Sequence, residues 1–195
     1  MARIKDELKR EKILKTSKIL FSQQGYANTS VSDIVQATNM PVGTIYTYFG
    51  KKEEIICTIV DEGWSGIQAR LEKLTRSGLS GKEKLRLILD DFVPELLKDL
   101  NFINILLTEA IELTKVEEKM ETITDVVLSI VKEISGTGEP PAHLSRRMLQ
   151  TSIVVVFLGL LSAANLAKTG KTGIYTPDII AFLKYLVSQS LGIEM

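Results

Sequence analysis

Apolar residues recur along the 195-residue chain at intervals of three and four, and Val, Ile and Thr never settle into sustained alternation. That pattern predicts helices throughout and no sheet. From about Lys5 to Gln24, Ile13, Ser17, Leu20 and Phe21 share one face with lysines between them, an amphipathic helix with a buried stripe. Gly25 is suited to end it in a left-handed conformation, and Tyr26 follows as an apolar anchor for the turn. Ser30-Val31-Ser32-Asp33 then has capping-box spacing, so a short helix is expected from Val31 to about Thr38 with Val31, Ile34, Val35 and Ala37 inward. Asn39 stands where a left-handed residue is wanted. Pro41 fits the first turn of the next helix, and Val42 to Phe49 supply about two turns. Two short helices joined by a tight turn form a helix-turn-helix.

Beyond Lys51 the stripes lengthen. Ile55, Ile56, Ile59, Val60, Trp64, Ile67, Leu71 and Leu74 predict one long helix from Lys51 to about Leu74. Gly78 to Gly81 break the chain, and helices follow over Lys82 to Asp99, kinked or restarted at Pro94, and Asn101 to Leu113. Lys115 to Ile134 turns Val116, Met120, Ile123, Val127, Ile130 and Val131 inward, with Glu117, Glu118 and Glu121 outward. Residues 135–141 read as a loop. Arg146 to Ala167 is apolar almost all round, long enough for a membrane span and flanked by Arg146, Arg147 and Lys168. Gln150, Thr151, Ser152, Ser162 and Asn165 argue against insertion, and burial between the chain's own domain and a second subunit explains the apolarity instead. Gly159 and Ala163 would let a partner backbone approach. The last helix, Pro177 to Leu191 with Thr176 as N-cap, carries Ile179, Ile180, Leu183, Leu186, Val187 and Leu191.

Lys and Arg total 24 and so do Asp and Glu, yet residues 1–52 hold nine basic against four acidic groups and the remainder fifteen against twenty. A basic end next to a helix-turn-helix is compatible with phosphate. The single cysteine, Cys57, closes no intrachain disulfide and reads as a small buried residue before a redox sensor. With one histidine, a multi-His or Cys/His metal site is not expected. The charged opening without an apolar run is not a secretory signal, and the expected location is the cytoplasm. Gly170-Lys171-Thr172 lacks the earlier glycine of a phosphate loop and reads as a plain loop. His143 opens a helix beside a double proline and suits a cap or surface role. No catalytic residue, metal or cofactor is expected, so the chain is not read as an enzyme.

Gly25-Tyr26, Thr29-Ser30-Val31, Asp33-Ile34-Val35 and Gly43-Thr44-Ile45-Tyr46-Thr47-Tyr48-Phe49 followed by Lys51-Lys52-Glu53-Glu54 resemble the DNA-binding domain of TetR-type (TetR/AcrR) transcriptional regulators. The resemblance covers roughly residues 8–56. It implies an all-α fold with an N-terminal three-helix helix-turn-helix domain and a larger helical domain that dimerises and often holds a small ligand. It also implies that the last two long helices pair with their copies. Pro41 and Val42 depart from the usual pattern, a Ser or Thr N-cap followed by a polar or basic residue.

The candidate DNA contacts are Thr29, Ser30, Val42, Gly43, Thr44, Tyr46, Thr47, Tyr48, Lys51 and Lys52. Gly43 allows close approach in the major groove, Thr44 reaches a base edge or phosphate, and Tyr48 and Thr47 offer hydroxyls. Val42 suits a thymine methyl. Ile45 and Phe49, four apart, belong to the small core, and Tyr46 to its edge or to a base or phosphate. Lys51 and Lys52 suit phosphate beside a helix start, or a solvated loop.

The candidate ligand-pocket residues are Trp64, Phe92, Phe102, Leu106, Glu109, Met148 and Phe157, although large apolar side chains on five helices also make a filled core. Trp64 reads equally as packed core. Glu109, three residues before Glu112, could form an acid–base pair, meet a cationic ligand or lie on a solvated edge. The expected organisation is a DNA-binding domain over residues 1–50 and a ligand-binding and dimerisation domain over 51–195. The expected function is a homodimeric repressor, paired through 146–167 and 177–191, that binds a palindromic operator in double-stranded DNA and is released by an apolar or amphipathic small molecule. The alternative is a helical carrier of an apolar ligand whose helix-turn-helix is a relic.

Overall fold

The computed structural model describes residues 6–106, 116–168, 173 and 175–194, apart from the side chains of residues 100, 103, 116, 117 and 168. The described residues form helices and no strand: α1 Glu7–Gln24, α2 Val31–Thr38, α3 Val42–Tyr48, α4 Lys52–Thr75, α5 Gly81–Leu87, a π turn Ile88–Phe92, α6 Val93–Leu96, α7 Leu100–Leu106, α8 Val116–Ser135, α9 Arg146–Lys168 and α10 Thr176–Leu191. Glu109, Glu112 and Gly170-Lys171-Thr172 lie outside the described residues.

Most of these boundaries follow from local chemistry. Asp6 caps α1 by accepting the Leu8 amide at 3.1 Å. Gly25 ends it at φ +84°, its amide on the Phe21 carbonyl, and the Tyr26 ring meets Phe21 edge-on at 5.4 Å. The capping box ahead of α2 is complete, with Ser30 Oγ accepting the Asp33 amide at 3.1 Å and the carboxylate accepting the Ser30 amide at 2.7 Å. Asn39 ends α2 in the left-handed conformation, φ +53°. A second capping box, Ser80 with Glu83, starts α5.

Several expectations need adjustment. In α1, Leu14 joins Ile13, Ser17 and Phe21 in the core while Leu20 is half-buried, and in α2 Thr38 is buried while Ala37 is exposed. Thr38 tolerates burial because its hydroxyl donates to the Ile34 carbonyl at 2.7 Å. The helix expected over Lys82 to Asp99 is not continuous. Pro94 has no amide to donate, and the ladder widens just before it, with the Val93 amide on the Ile88 carbonyl. Tyr175 rather than Thr176 precedes α10, its amide held by Asp178 at 3.1 Å. His143 precedes α9 instead of opening it, with Nε2 2.8 Å from the Ser190 carbonyl oxygen. Cys57 is half-buried.

Two compact units emerge, and the divide between them falls within α4. Described residues 6–65 and 101–106 make the first, in which α1 packs on α2 and α2 on α3 around Ile13, Phe21, Ile34, Ile45 and Phe49. Arg10 joins α1 to α4 through Glu62 at 2.5 Å. Of the described residues, 66–100 and 116–194 make the second unit, where α8 packs against α5 and α9, and α10 against α9, α6 and the π turn. Gly81 is required there: a Cβ would lie 2.9 Å from the Ile130 carbonyl oxygen. Lys84, only 4% exposed, pairs with Glu133 at 2.9 Å, which compensates the desolvation of its ammonium.

Candidate nucleic-acid interface

The helix-turn-helix presents α3 with a clean division of faces. Ile45 is buried and so is Phe49, whose amide closes the helix on the Ile45 carbonyl. On the other side Val42, Gly43, Tyr46 and Thr47 are exposed, 42 with 46 and 43 with 47 each one turn apart, while Thr44 and Tyr48 are half-buried at the edge. Val42 and Tyr46 each leave 52% of their surface to solvent, a large apolar exposure for so short a helix. A Cβ added at Gly43 would meet nothing within 4 Å, and its φ is not positive. Nothing inside the unit requires a glycine there.

Several expected contacts are otherwise engaged. Thr29 is buried and its hydroxyl donates to the Gly25 carbonyl at 2.8 Å, which removes it from any surface. Ser30 is exposed, but its hydroxyl serves the capping box. The Tyr48 hydroxyl donates to the Asp6 carbonyl at 3.0 Å, tying the end of α3 to the start of α1. Thr47 donates to the Gly43 carbonyl at 2.7 Å within its own helix. Lys52 departs furthest from expectation. Its ammonium donates to the carbonyls of Tyr26 and Thr29, both at 2.7 Å, and lies 4.1 Å from the centre of the Tyr26 ring, so it fastens the α1–α2 turn to the start of α4. Lys51 is exposed.

Electrostatics at the α4 start favour carboxylates. Glu53 is held below the usual carboxylate range by its own backbone amide, helped by the Tyr26 hydroxyl and the charges of Lys51 and Lys52. Glu54 accepts the Gly50 amide at 2.8 Å and fixes the loop that carries Lys51. Neither Glu54 nor Asp6 was singled out as part of the site from sequence. Both carried a detectable signal, an acidic residue near a helix start.

Residues 13–57 match the family described as bacterial regulatory proteins, tetR family. The helix-turn-helix segment is that of TetR-type transcriptional regulators. The chain is 27% identical over 139 residues to the fatty acid metabolism regulator protein of Bacillus subtilis (strain 168), a match spanning 69% of this chain and 72% of that protein. It is 29% identical over 69 residues to the transcriptional repressor NemR of Escherichia coli (strain K12), about a third of each chain. Among solved structures, the regulator FadR from Bacillus subtilis in complex with stearoyl-CoA superposes with a TM-score of 0.69 at 22% identity, covering 94% of this chain and 96% of that one. FadR from Bacillus halodurans gives 0.72 at 20% identity, with coverage of 94% and 95%. These likenesses establish the fold. The relatives are transcriptional regulators, not enzymes.

The residues expected around a ligand are divided between the units. Trp64, Phe102 and Leu106 are buried in the first, where the Phe102 ring fills the space beside Gly63. Phe92 and Phe157 are half-buried in the second, the former with the Arg70 guanidinium 5.1 Å from its ring centre. Met148 is exposed there, with 53% of its surface open to solvent. In the second unit, α9 and α10 enclose an open apolar groove of about 430 Å³ lined by residues that include Val155, Gly159, Ala163, Phe182 and Leu186. Val155 and Phe182 are 64% and 61% exposed.

Proposed function

We propose that the chain is a homodimeric, cytoplasmic repressor that binds a palindromic operator in double-stranded DNA and is released by an apolar or amphipathic small molecule. The observation that carries the reading is the free face of α3: Val42, Gly43, Tyr46 and Thr47 stand outward on a helix whose opposite side is anchored by Ile45 and Phe49. A helix held by one face with the other open and side-chain-poor at Gly43 fits a major groove. Thr44, Tyr46 and Lys51 supply the remaining polar contacts. We assign DNA binding to residues 1–50 and dimerisation and ligand response to 51–195.

Dimerisation through 146–167 and 177–191 is supported by the exposed apolar groove between α9 and α10. The Arg146–Ala167 stretch is also long and apolar enough for a membrane span, yet its apolar window is only 17% buried within the chain, as a helix awaiting a second copy would be. A fatty acyl thioester is the ligand class to test first, since a fatty acid regulator and a regulator bound to stearoyl-CoA are among the relatives.

The test is selection of duplexes from a random pool by the full-length protein, followed by titration of the enriched operator across salt with and without stearoyl-CoA. Enrichment of a two-fold symmetric sequence with half-sites one turn apart or a multiple of it is expected. Binding that never distinguishes sequences overturns the repressor reading. Unchanged operator affinity with stearoyl-CoA overturns the acyl ligand alone.

A further inference from the structure

We infer that α3 reads its operator through thymine methyl groups, with Val42 and Thr47 as the specificity-determining residues. The inference rests on the reading of α3 as the recognition helix. Between Val42 and Tyr48 the chain carries no Arg, Lys, Asn, Gln, Asp or Glu. The helix therefore lacks the bidentate donors that select guanine, the amides that select adenine, and the carboxylates that accept from the cytosine amine.

What it does present is apolar. Val42 leaves 52% of a branched aliphatic residue open to solvent. Thr47 is exposed, but its one O–H donates to the Gly43 carbonyl at 2.7 Å. It has no proton left for the acceptors on the purine edges or thymine O4; its oxygen can only accept, and its methyl is the apolar group it presents to a partner. Methyl contact requires approach to about 4 Å, and both side chains are short. The open position at Gly43, between them on the same face, lets the helix backbone come that near. In the major groove the thymine C5-methyl is the feature that matches such a surface. The hydroxyls of Tyr46 and Thr44 each offer a single donor, without the bidentate geometry that fixes a base pair.

The experiment uses the full-length protein and its selected operator, with each half-site thymine replaced in turn by deoxyuridine, which removes only the methyl. We expect loss of about fourfold in affinity per methyl at two positions in each half-site, the free energy of one buried methyl group. Val42→Ala should make binding indifferent to one of these replacements. Thr47→Ser, which keeps the intrahelical bond and drops the methyl, should do so at the other, whereas Thr47→Val should retain the sensitivity. Deoxyuridine without effect at every position overturns the inference while operator binding stands, as does a Val42→Ala variant as sensitive as the native protein. If no duplex is enriched at all, the recognition-helix reading falls and this inference with it.

Discussion

The ammonium of Lys52 donates to the carbonyl of Tyr26 at 2.7 Å while lying 4.1 Å from the centre of the same residue's ring, so one lysine holds both the backbone and the side chain of the α1–α2 turn. Lys52→Ala leaves two carbonyls without their charged donor, and its stability in urea should fall by about 2 kcal/mol. The neighbouring Lys51 is exposed, and under the proposed function it is the lysine left to meet phosphate. Operator titrations across salt should show the slope for Lys51→Ala reduced by about one and that for Lys52→Ala unchanged. The reverse pattern would return Lys52 to the footprint.

Gly43 separates fold from function. Alanine there meets nothing and suits a helix better than glycine, so Gly43→Ala should raise stability by roughly 0.5–1 kcal/mol. The same methyl would hold the helix away from the groove, and operator affinity should fall at least tenfold. A variant that gains stability and keeps its affinity would show that no close approach occurs at this position.

Gly63 behaves oppositely, because a Cβ there would lie 2.6 Å from the Phe102 ring. Gly63→Ala should cost about 1–3 kcal/mol through overpacking. Combining it with Phe102→Leu should recover part of that loss, read from a double-mutant cycle of thermal melts. Additive effects would mean the two side chains do not compete for the space.

The capping carboxylates set an acid limit. Asp33 is held below its usual value by the Ser30 hydroxyl and amide, and Glu83 likewise by those of Ser80. Because both folded-state values are depressed, their stabilisation is full above the ordinary carboxylate range and is lost as pH falls through the lower, folded-state values. An Asp33→Asn, Glu83→Gln variant should therefore melt below the native protein at neutral pH and converge with it in acid. A constant gap between the two melting curves across pH would remove this linkage.

Gly159 lies open on α9, and a Cβ there meets nothing within 4 Å of its own chain. Gly159→Glu should leave the helical content of the subunit intact while burying an unpaired charge between copies. Sedimentation should then report monomer or aggregate at concentrations where the native protein is a dimer. A stable Gly159→Glu dimer would place the interface elsewhere.

What the sequence determined by itself has a short range. Ser30 and Asp33 are three residues apart, Gly25 and Asn39 end their helices with their own backbones, and Ile45 and Phe49 are one turn apart, so the helix-turn-helix and the buried side of α3 were legible from local spacing. These interactions close within four residues, and no distant part of the chain is needed to decide them. The fates of Thr29, Lys52 and Tyr48 were not legible. The Lys52 ammonium ends a flexible four-carbon stem whose partners lie 26 and 23 residues back, and Tyr48 reaches 42 residues back to Asp6. A lysine beside a helix start carries the same local signal whether it faces phosphate or a carbonyl of its own chain. Only the packing of α1, α2 and α4 into one unit brought those carbonyls within reach, and with them within reach the ammonium adds a charged donor to both, the Tyr26 carbonyl accepting the Thr29 amide as well.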